Sequence, residues 1–414
     1  MLWSISPNII RIYLRYRARK NPAYLEYWQE RFDGTMPDAK KQVIWLHAVS
    51  VGEINAAVPI IKIIQHSLPE KEWLITCMTP TGRARIKELF PSTQCRYLPY
   101  DKPSYVKQFL QEHQPIIAIF METEIWVNYI LECSNQNIPT ALINARLSEK
   151  SLSSYLKFYK LFRPTFASLQ IVLSQSQADK ERLHRIGAQS VKICGNSKYD
   201  ILPTKESYIL AEQFKQKIGN RQVIICASTR EKNGIDEALL LLEAWKKIDY
   251  PKQTLLVIIP RHPERFQTNF DIAQKLGFKV QKRSDNCNIS PDTEIWIGDS
   301  MGELFAYYLC ADIAFVGGSL VDTGCQNIIE PISCNIPTIF GYSTFNFAQA
   351  TKEALESKVA LQVLTPEEWA TTCCDLLKNQ TLQQEMKNNS HHFISKHQGA
   401  SQKMADKLIK LISN

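Results

Sequence analysis

The chain has 414 residues, a length that predicts two or three domains at roughly 150 residues each. Hydrophobic residues make up 44% and charged residues 22%, which excludes a disordered, collagen-like or coiled-coil chain, and no run approaches the ~18 apolar residues of a spanning helix. The 49 Lys and Arg against 41 Asp and Glu leave +8, a modest basic excess that suits phosphate groups, nucleic acid or anionic lipid, while eleven Cys without a C-x-x-C pair favour a reducing compartment over a disulfide framework or zinc ribbon.

In chain order, the N-terminus sets Leu2, Trp3, Ile9, Ile10, Ile12, Tyr13 and Leu14 beside Arg11, Arg15, Arg17, Arg19 and Lys20. A signal peptide carries its charges before a clean apolar core, and here they follow, so export is not expected. The mixture predicts an interfacial helix with apolar side chains at the acyl boundary and arginines on headgroups. The alternative is a solvated helix packed on the body. From Gln42 onward, short apolar runs alternate with helical patterns, the signature of βα units around parallel sheets. The first set covers 42–49, 73–78, 95–100, 115–121, 139–145 and 171–176. A polar segment with Pro203, near 196–208, reads as a linker. The second set covers 222–228, 254–260, 278–283, 294–299, 312–318, 336–341 and 360–364. The expected fold is therefore α/β, with two Rossmann-like domains facing a central cleft. The expected boundaries are 1–35 for an N-terminal anchoring region, 36–200 for the first domain and 201–414 for the second.

Open α/β sheets bind ligands beyond the carboxyl ends of their strands, so the residues after each run matter most. Glu53 follows the first run and starts a helix, where the dipole would keep its carboxylate ionised as a base requires. The structural alternative is a first-turn glutamate that steadies the helix. Glu122 and Glu124 end the run 115–121, and paired acids near an anomeric centre are the usual equipment of sugar chemistry. Arg146, after 139–145, either clamps a carboxylate or phosphate or ties loops through their carbonyls. Lys198 is either a solvated linker lysine or a mobile cation near a leaving phosphate. In the second set, Pro260-Arg261-His262-Pro263 forms a rigid turn carrying charge, which suggests anion recognition. Ser300 is placed to cap a helix beside Met301-Gly302-Glu303, and Gly317-Gly318 reads as a tight turn. Glu330, after Asn327-Ile328-Ile329, is placed to accept ribose hydroxyls.

No G-x-G-x-x-G follows the first strand and no G-x-x-x-x-G-K-[ST] occurs, so dinucleotide oxidoreductases and P-loop enzymes lose their main support. No metal-ligand spacing appears either, and His47 within an apolar run reads as a core residue.

Taken together, the segments RKNPAYLEYWQERF (19–32), HAVSVGE (47–53), METEIWVN (121–128), NARLSEKS (144–151), GNSKYD (195–200), STRE (228–231), PRHPERF (260–266), GDSMGEL (298–304), ADIAFVGGSLV (311–321) and NIIEP (327–331) resemble the bacterial 3-deoxy-D-manno-octulosonic acid (Kdo) transferases. The resemblance spans nearly the whole chain. It implies the two-lobed GT-B fold and an inverting transfer of Kdo from CMP-Kdo to the lipid A precursor (lipid IVA) in lipopolysaccharide core biosynthesis. No metal and no cofactor would be required. It also implies residence on the cytoplasmic side of the inner membrane, against an anionic membrane surface, with no nucleic-acid partner. Under it, Glu53 corresponds to the proton acceptor, and Glu122 and Lys198 to the transition-state stabilisers. Pro260, Arg261, Met301, Gly302, Glu303, Asn327, Ile328, Ile329 and Glu330 correspond to CMP-binding positions. Two positions depart from the pattern: Arg230 and Gln326 stand where the family usually has histidine. A transferase using a UDP- or GDP-sugar and a nucleic-acid-binding protein are the competing readings.

Overall fold

The computed structural model describes residues 7–19, 21–36 and 38–413, and the chain divides into two units, 1–201 with 398–414, and 202–397. The first unit is built on a sheet of seven strands: β1 (Ile44–His47), β2 (Trp73–Cys77), β3 (Gln94–Tyr97), β4 (Ile117–Met121), β5 (Thr140–Ala145), β6 (Ile171–Ser174) and β7 (Val191–Ile193). All pairings are parallel, in the order β3-β2-β1-β4-β5-β6-β7. That order reverses between β1 and β4, the switch point where doubly wound sheets bind ligands. Apolar clusters cover both faces, which is why β1, β2, β4 and β5 are buried along their whole length and read as apolar runs rather than alternating patterns. The strand β7 has no counterpart among the sequence expectations, because Val-Lys-Ile is too short and too polar to stand out.

The second unit repeats the plan. Its strands are β8 (Gln222–Thr229), a two-strand hairpin of β9 (Glu231–Lys232) and β10 (Ile235–Asp236), then β11 (Thr254–Pro260), β12 (Val280–Lys282), β13 (Ile295–Ile297), β14 (Ile313–Val316), β15 (Thr338–Phe340) and β16 (Ala360–Gln362). The main sheet is parallel and ordered β12-β13-β11-β8-β14-β15-β16, so its switch point lies between β8 and β14.

Two boundaries differ from expectation. The polar segment at 196–208 is largely structured: Ser197–Asp200 forms a 3-10 turn, and a helix begins at Lys205 under the Thr204 cap. The last helix, Ala400–Ser413, groups with the first unit rather than with a domain 201–414. It buries Met404, Ala405 and Leu408 in the core beside the helix Val51–Ser67. Asp200 holds its start by accepting the amides of Gly399 (2.7 Å) and Ser401 (2.6 Å).

At the N-terminus, the helix Pro7–Ala18 packs Ile10, Leu14 and Ala18 against Tyr24, Phe32, Tyr100 and Tyr105. A second apolar row, Ile9, Ile12, Tyr13 and Tyr16, is exposed at helical spacing. The Arg11 guanidinium lies over Phe32 (4.6 Å) and that of Arg17 over Tyr24 (4.5 Å). Leu2, Trp3 and Lys20 lie outside the described residues.

Candidate active site

The switch point of the first sheet gathers carboxylates. Glu53 stands in the first turn of Val51–Ser67, just beyond β1, and Ser50 donates its amide to Glu53 Oε2 at 2.9 Å. Burial pushes the Glu53 carboxyl up to about 8, with Glu124 and Glu122 adding to the rise. The Ser50 amide opposes this and loses. The expectation that the helix dipole keeps Glu53 ionised is therefore corrected: desolvation and two neighbouring carboxylates outweigh a dipole effect of about 0.3–1 kcal/mol.

Glu122 lies beyond β4 with the opposite balance. Its burial alone would raise it, but Lys198 Nζ donates to Oε1 at 2.6 Å and Arg146 Nε to Oε2 at 3.0 Å. Together the two cations hold its carboxyl below the usual range. Lys198 is thus not a solvated linker lysine but a half-buried partner of Glu122, and Arg146 does clamp a carboxylate, one belonging to the chain itself. Glu124 accepts from Trp126 Nε1 at 2.9 Å, yet burial carries its carboxyl upward.

The backbone explains how these groups meet. Glu122 sits at φ +52, a conformation costly for a residue with a side chain and often found where function demands it. Its amide donates to Ile143 O at 2.9 Å, tying it to β5. Within β5, Asn144 adopts φ +49 where the strand gains a residue against β6, a bulge that turns the strand end. Asn144 Oδ1 accepts the Ser197 amide at 3.1 Å, and Asn196 Oδ1 accepts the Lys198 amide at 3.0 Å. Those two side chains set the turn that delivers Lys198. His47 takes no part in this charge balance. It is fully buried, bonded to Thr76 Oγ1 at 2.9 Å, and kept neutral because burial brings its imidazole down to about 3.

The second sheet gathers cations at its own switch point. Arg230, beyond β8, has one Nη 3.4 Å from His262 Nε2. Burial lowers the Arg230 guanidinium, and Arg261 beside it lowers it further. Pro260 ends β11, and Arg261 follows with its amide bonded to Thr229 O at 3.0 Å. Met301, Gly302 and Glu303 come after β13. Met301 is exposed, Gly302 takes φ +81, and Glu303 accepts from Arg283 at 3.1 Å and from the Ser300 hydroxyl at 2.5 Å. Ser300 does not cap the helix Leu304–Tyr308, whose cap position is Glu303, because its hydroxyl is engaged with Glu303 and Tyr307. Beyond β14, Asn327 Nδ2 donates to Glu330 Oε1 at 3.0 Å. Ile328 and Ile329 are buried side chains, so only their backbone can meet a ligand. Among the described residues no group of three metal-ligating side chains converges, and no helix is long and apolar enough to cross a membrane.

Sequence reasoning passes over Glu237. In the sequence it is one more acid opening a helix, and its surroundings become visible only once β8 and β14 lie side by side.

The fold is that of the GT-B glycosyltransferases. A glycosyltransferase from Rickettsia africae matches with a TM-score of 0.59 at 12% identity, covering 91% of this chain and 99% of the other. Anabaena HepE in complex with UDP and glucose matches with a TM-score of 0.60 at 12% identity, covering 89% and 99%. The family profile described as 3-deoxy-D-manno-octulosonic-acid transferase (kdotransferase) matches residues 26–201. The 3-deoxy-D-manno-octulosonic acid transferase of Haemophilus influenzae is 34% identical over 98% of this chain and 96% of its own. That of Bordetella pertussis is 34% identical over 88% and 86%. The chain belongs to the 3-deoxy-D-manno-octulosonic acid transferase family and is a glycosyltransferase that moves Kdo.

Proposed function

We propose that this enzyme takes Kdo from CMP-Kdo and joins it, with inversion, to a hydroxyl of the lipid A disaccharide precursor at the cytoplasmic surface of the inner membrane. The observation that carries the reading is the contrast between Glu53 and Glu122: one carboxyl is pushed up to about 8, and its neighbour is held down by Lys198 and Arg146. A base is most effective when its pKa lies near the working pH, and Glu53 meets that condition. In the reaction, Glu53 takes the proton of the acceptor hydroxyl as that oxygen attacks the anomeric carbon. The bond from that carbon to the CMP phosphate oxygen breaks, and the phosphate keeps the electron pair. Glu122 stays ionised throughout and opposes the positive charge that grows at the anomeric carbon.

Lys198 has two tasks in this reading: it keeps Glu122 ionised and adds positive charge for the departing phosphate. The CMP moiety is held by Pro260, Arg261, Met301, Gly302, Glu303 and the segment Asn327–Glu330. Arg261 and its cationic neighbours take the place a metal ion would otherwise have at the phosphate. The exposed row Ile9, Ile12, Tyr13 and Tyr16, flanked by Arg11, Arg15 and Arg19, supports attachment to an anionic membrane surface.

The test is a product assay. Incubated with CMP-Kdo and lipid IVA in the presence of EDTA, the enzyme is expected to yield acceptor heavier by whole Kdo residues, with CMP released in equal number. No mass gain with CMP-Kdo, or a gain with a UDP- or GDP-sugar instead, overturns the donor reading.

A further inference from the structure

The second unit contains a buried carboxylate that none of the reaction steps uses. Glu237 is fully buried at the start of the helix Glu237–Lys246. Among the described residues its side chain forms no salt bridge. Instead it accepts four backbone amides from two different strand exits: Arg230 at 3.1 Å after β8, and Gly318 at 2.6 Å, Ser319 at 3.0 Å and Leu320 at 2.9 Å after β14. Its own amide returns a bond to Arg230 O at 2.9 Å. These are the two strands that flank the switch point of the sheet, where ligands of doubly wound folds bind.

The two exits are locked on each other by shape as well. Ser228 takes φ +59 in a bulge of β8, since Ile259 and Pro260 pair with Ala227 and Thr229 and pass over it. A Cβ on Gly317 would meet Ser228 O and Thr229 Cα at 2.7 Å. Gly318, at φ +72, would press a Cβ to 3.2 Å from Arg230 Cδ and 2.9 Å from Gly324 O. The outcome is a partly buried Arg230 whose Nε has no partner among the described residues, with Arg261 beside it and His262 at 3.4 Å. The carboxylates near this group are Glu237, whose oxygens are occupied by amides, and Glu264, whose charge reaches His262. Two guanidiniums held together against their mutual repulsion, beside an imidazole that burial and both of them keep neutral, make a site for an anion.

We propose that Glu237 is a positioning residue of the donor site, and that Arg230, aimed by it, binds an anionic group of the donor. This rests on the CMP-Kdo reading. That donor offers two such groups, the phosphate and the sugar-acid carboxylate, and the experiment separates them.

The wild type is assayed first with CMP-Kdo. If it shows no turnover, the donor reading fails and this proposal with it. With turnover present, Glu237→Gln replaces one accepting oxygen by an amide nitrogen of the same shape, and Arg230→Ala removes the guanidinium. Each is expected to raise the KM for CMP-Kdo about tenfold, the scale of one lost charge-assisted hydrogen bond, while kcat falls less than about threefold. The double variant is expected to be no worse than the poorer single one, because both act on the same contact. A purely structural Glu237 would give multiplied effects, or a loss confined to stability, and either result overturns the proposal. Arg230→Lys is expected to recover part of the loss. Calorimetry with CMP alone assigns the group: affinity weakened by Arg230→Ala marks the phosphate, and unchanged CMP affinity with a raised CMP-Kdo KM marks the carboxylate. Should Glu237→Gln not fold, Gly318→Ala displaces the same loop without touching the carboxylate, and an unchanged donor KM in that folded variant overturns the proposal.

Discussion

The two units share one plan, a seven-stranded parallel sheet whose switch point lies beside its first strand, and use it for opposite electrostatics. At the switch point of the first, Glu53, Glu122 and Glu124 collect beside Lys198 and Arg146. At that of the second, Arg230, Arg261 and His262 collect while the nearest buried carboxylate is bound up in backbone amides. In each sheet a central strand carries a bulge at its carboxyl end, at Asn144 in β5 and at Ser228 in β8. The scaffold supplies converging strand ends, and the side chains on them decide whether carboxylates or cations gather there.

This division of labour can be attacked one residue at a time. Glu53→Gln should cost most, because it removes the proposed base: kcat with saturating donor should fall by roughly 10³-fold, within the usual range for general-base loss, while calorimetric CMP affinity is unchanged. Near wild-type kcat would remove Glu53 from the chemistry. Lys198→Met leaves Glu122 buried with one cation fewer. Uncompensated buried charge should cost about 3 kcal/mol in denaturant unfolding, and activity should fall about tenfold to a hundredfold.

The pH profile separates the two glutamates. In the proposed role Glu53 must be ionised to act, and with its carboxyl pushed up to about 8, kcat/KM should climb about tenfold per unit below pH 7 and level off above about 9. Glu124→Gln removes a neighbouring negative charge, so the inflection should move to lower pH and the rate at pH 7 should rise. An unmoved inflection would mean that Glu124 does not set the Glu53 pKa. Arg146→Ala should do least. Its side chain is 41% exposed against 13% for Lys198, so water screens its loss and a severalfold drop in kcat should suffice.

Much of this is legible in the residues. Strands buried on both faces, such as Ile117–Met121, appear as unbroken apolar runs because packed side chains shield them from water on each side. Glu53, Glu122 and Arg261 stand out because they follow such runs. The short strand Val191–Ile193 and the return of the helix Ala400–Ser413 to the first unit do not, since each depends on partners remote in the chain. The capping role expected of Ser300 fails for a similar reason: its hydroxyl finds Glu303 and Tyr307 before any helix amide.

Local pattern in the chain is enough to define the two α/β units and the family, because apolar periodicity and ordered motifs are properties of neighbouring residues. The protonation and pairing of the groups are settled by the folded molecule alone. Whether a glutamate is raised or held down depends on how deeply it is buried and on which charges stand within a few ångströms, and Lys198 reaches Glu122 across 76 positions of chain. The same holds for Glu237, whose four amide partners are gathered from two strands that meet only in the folded sheet.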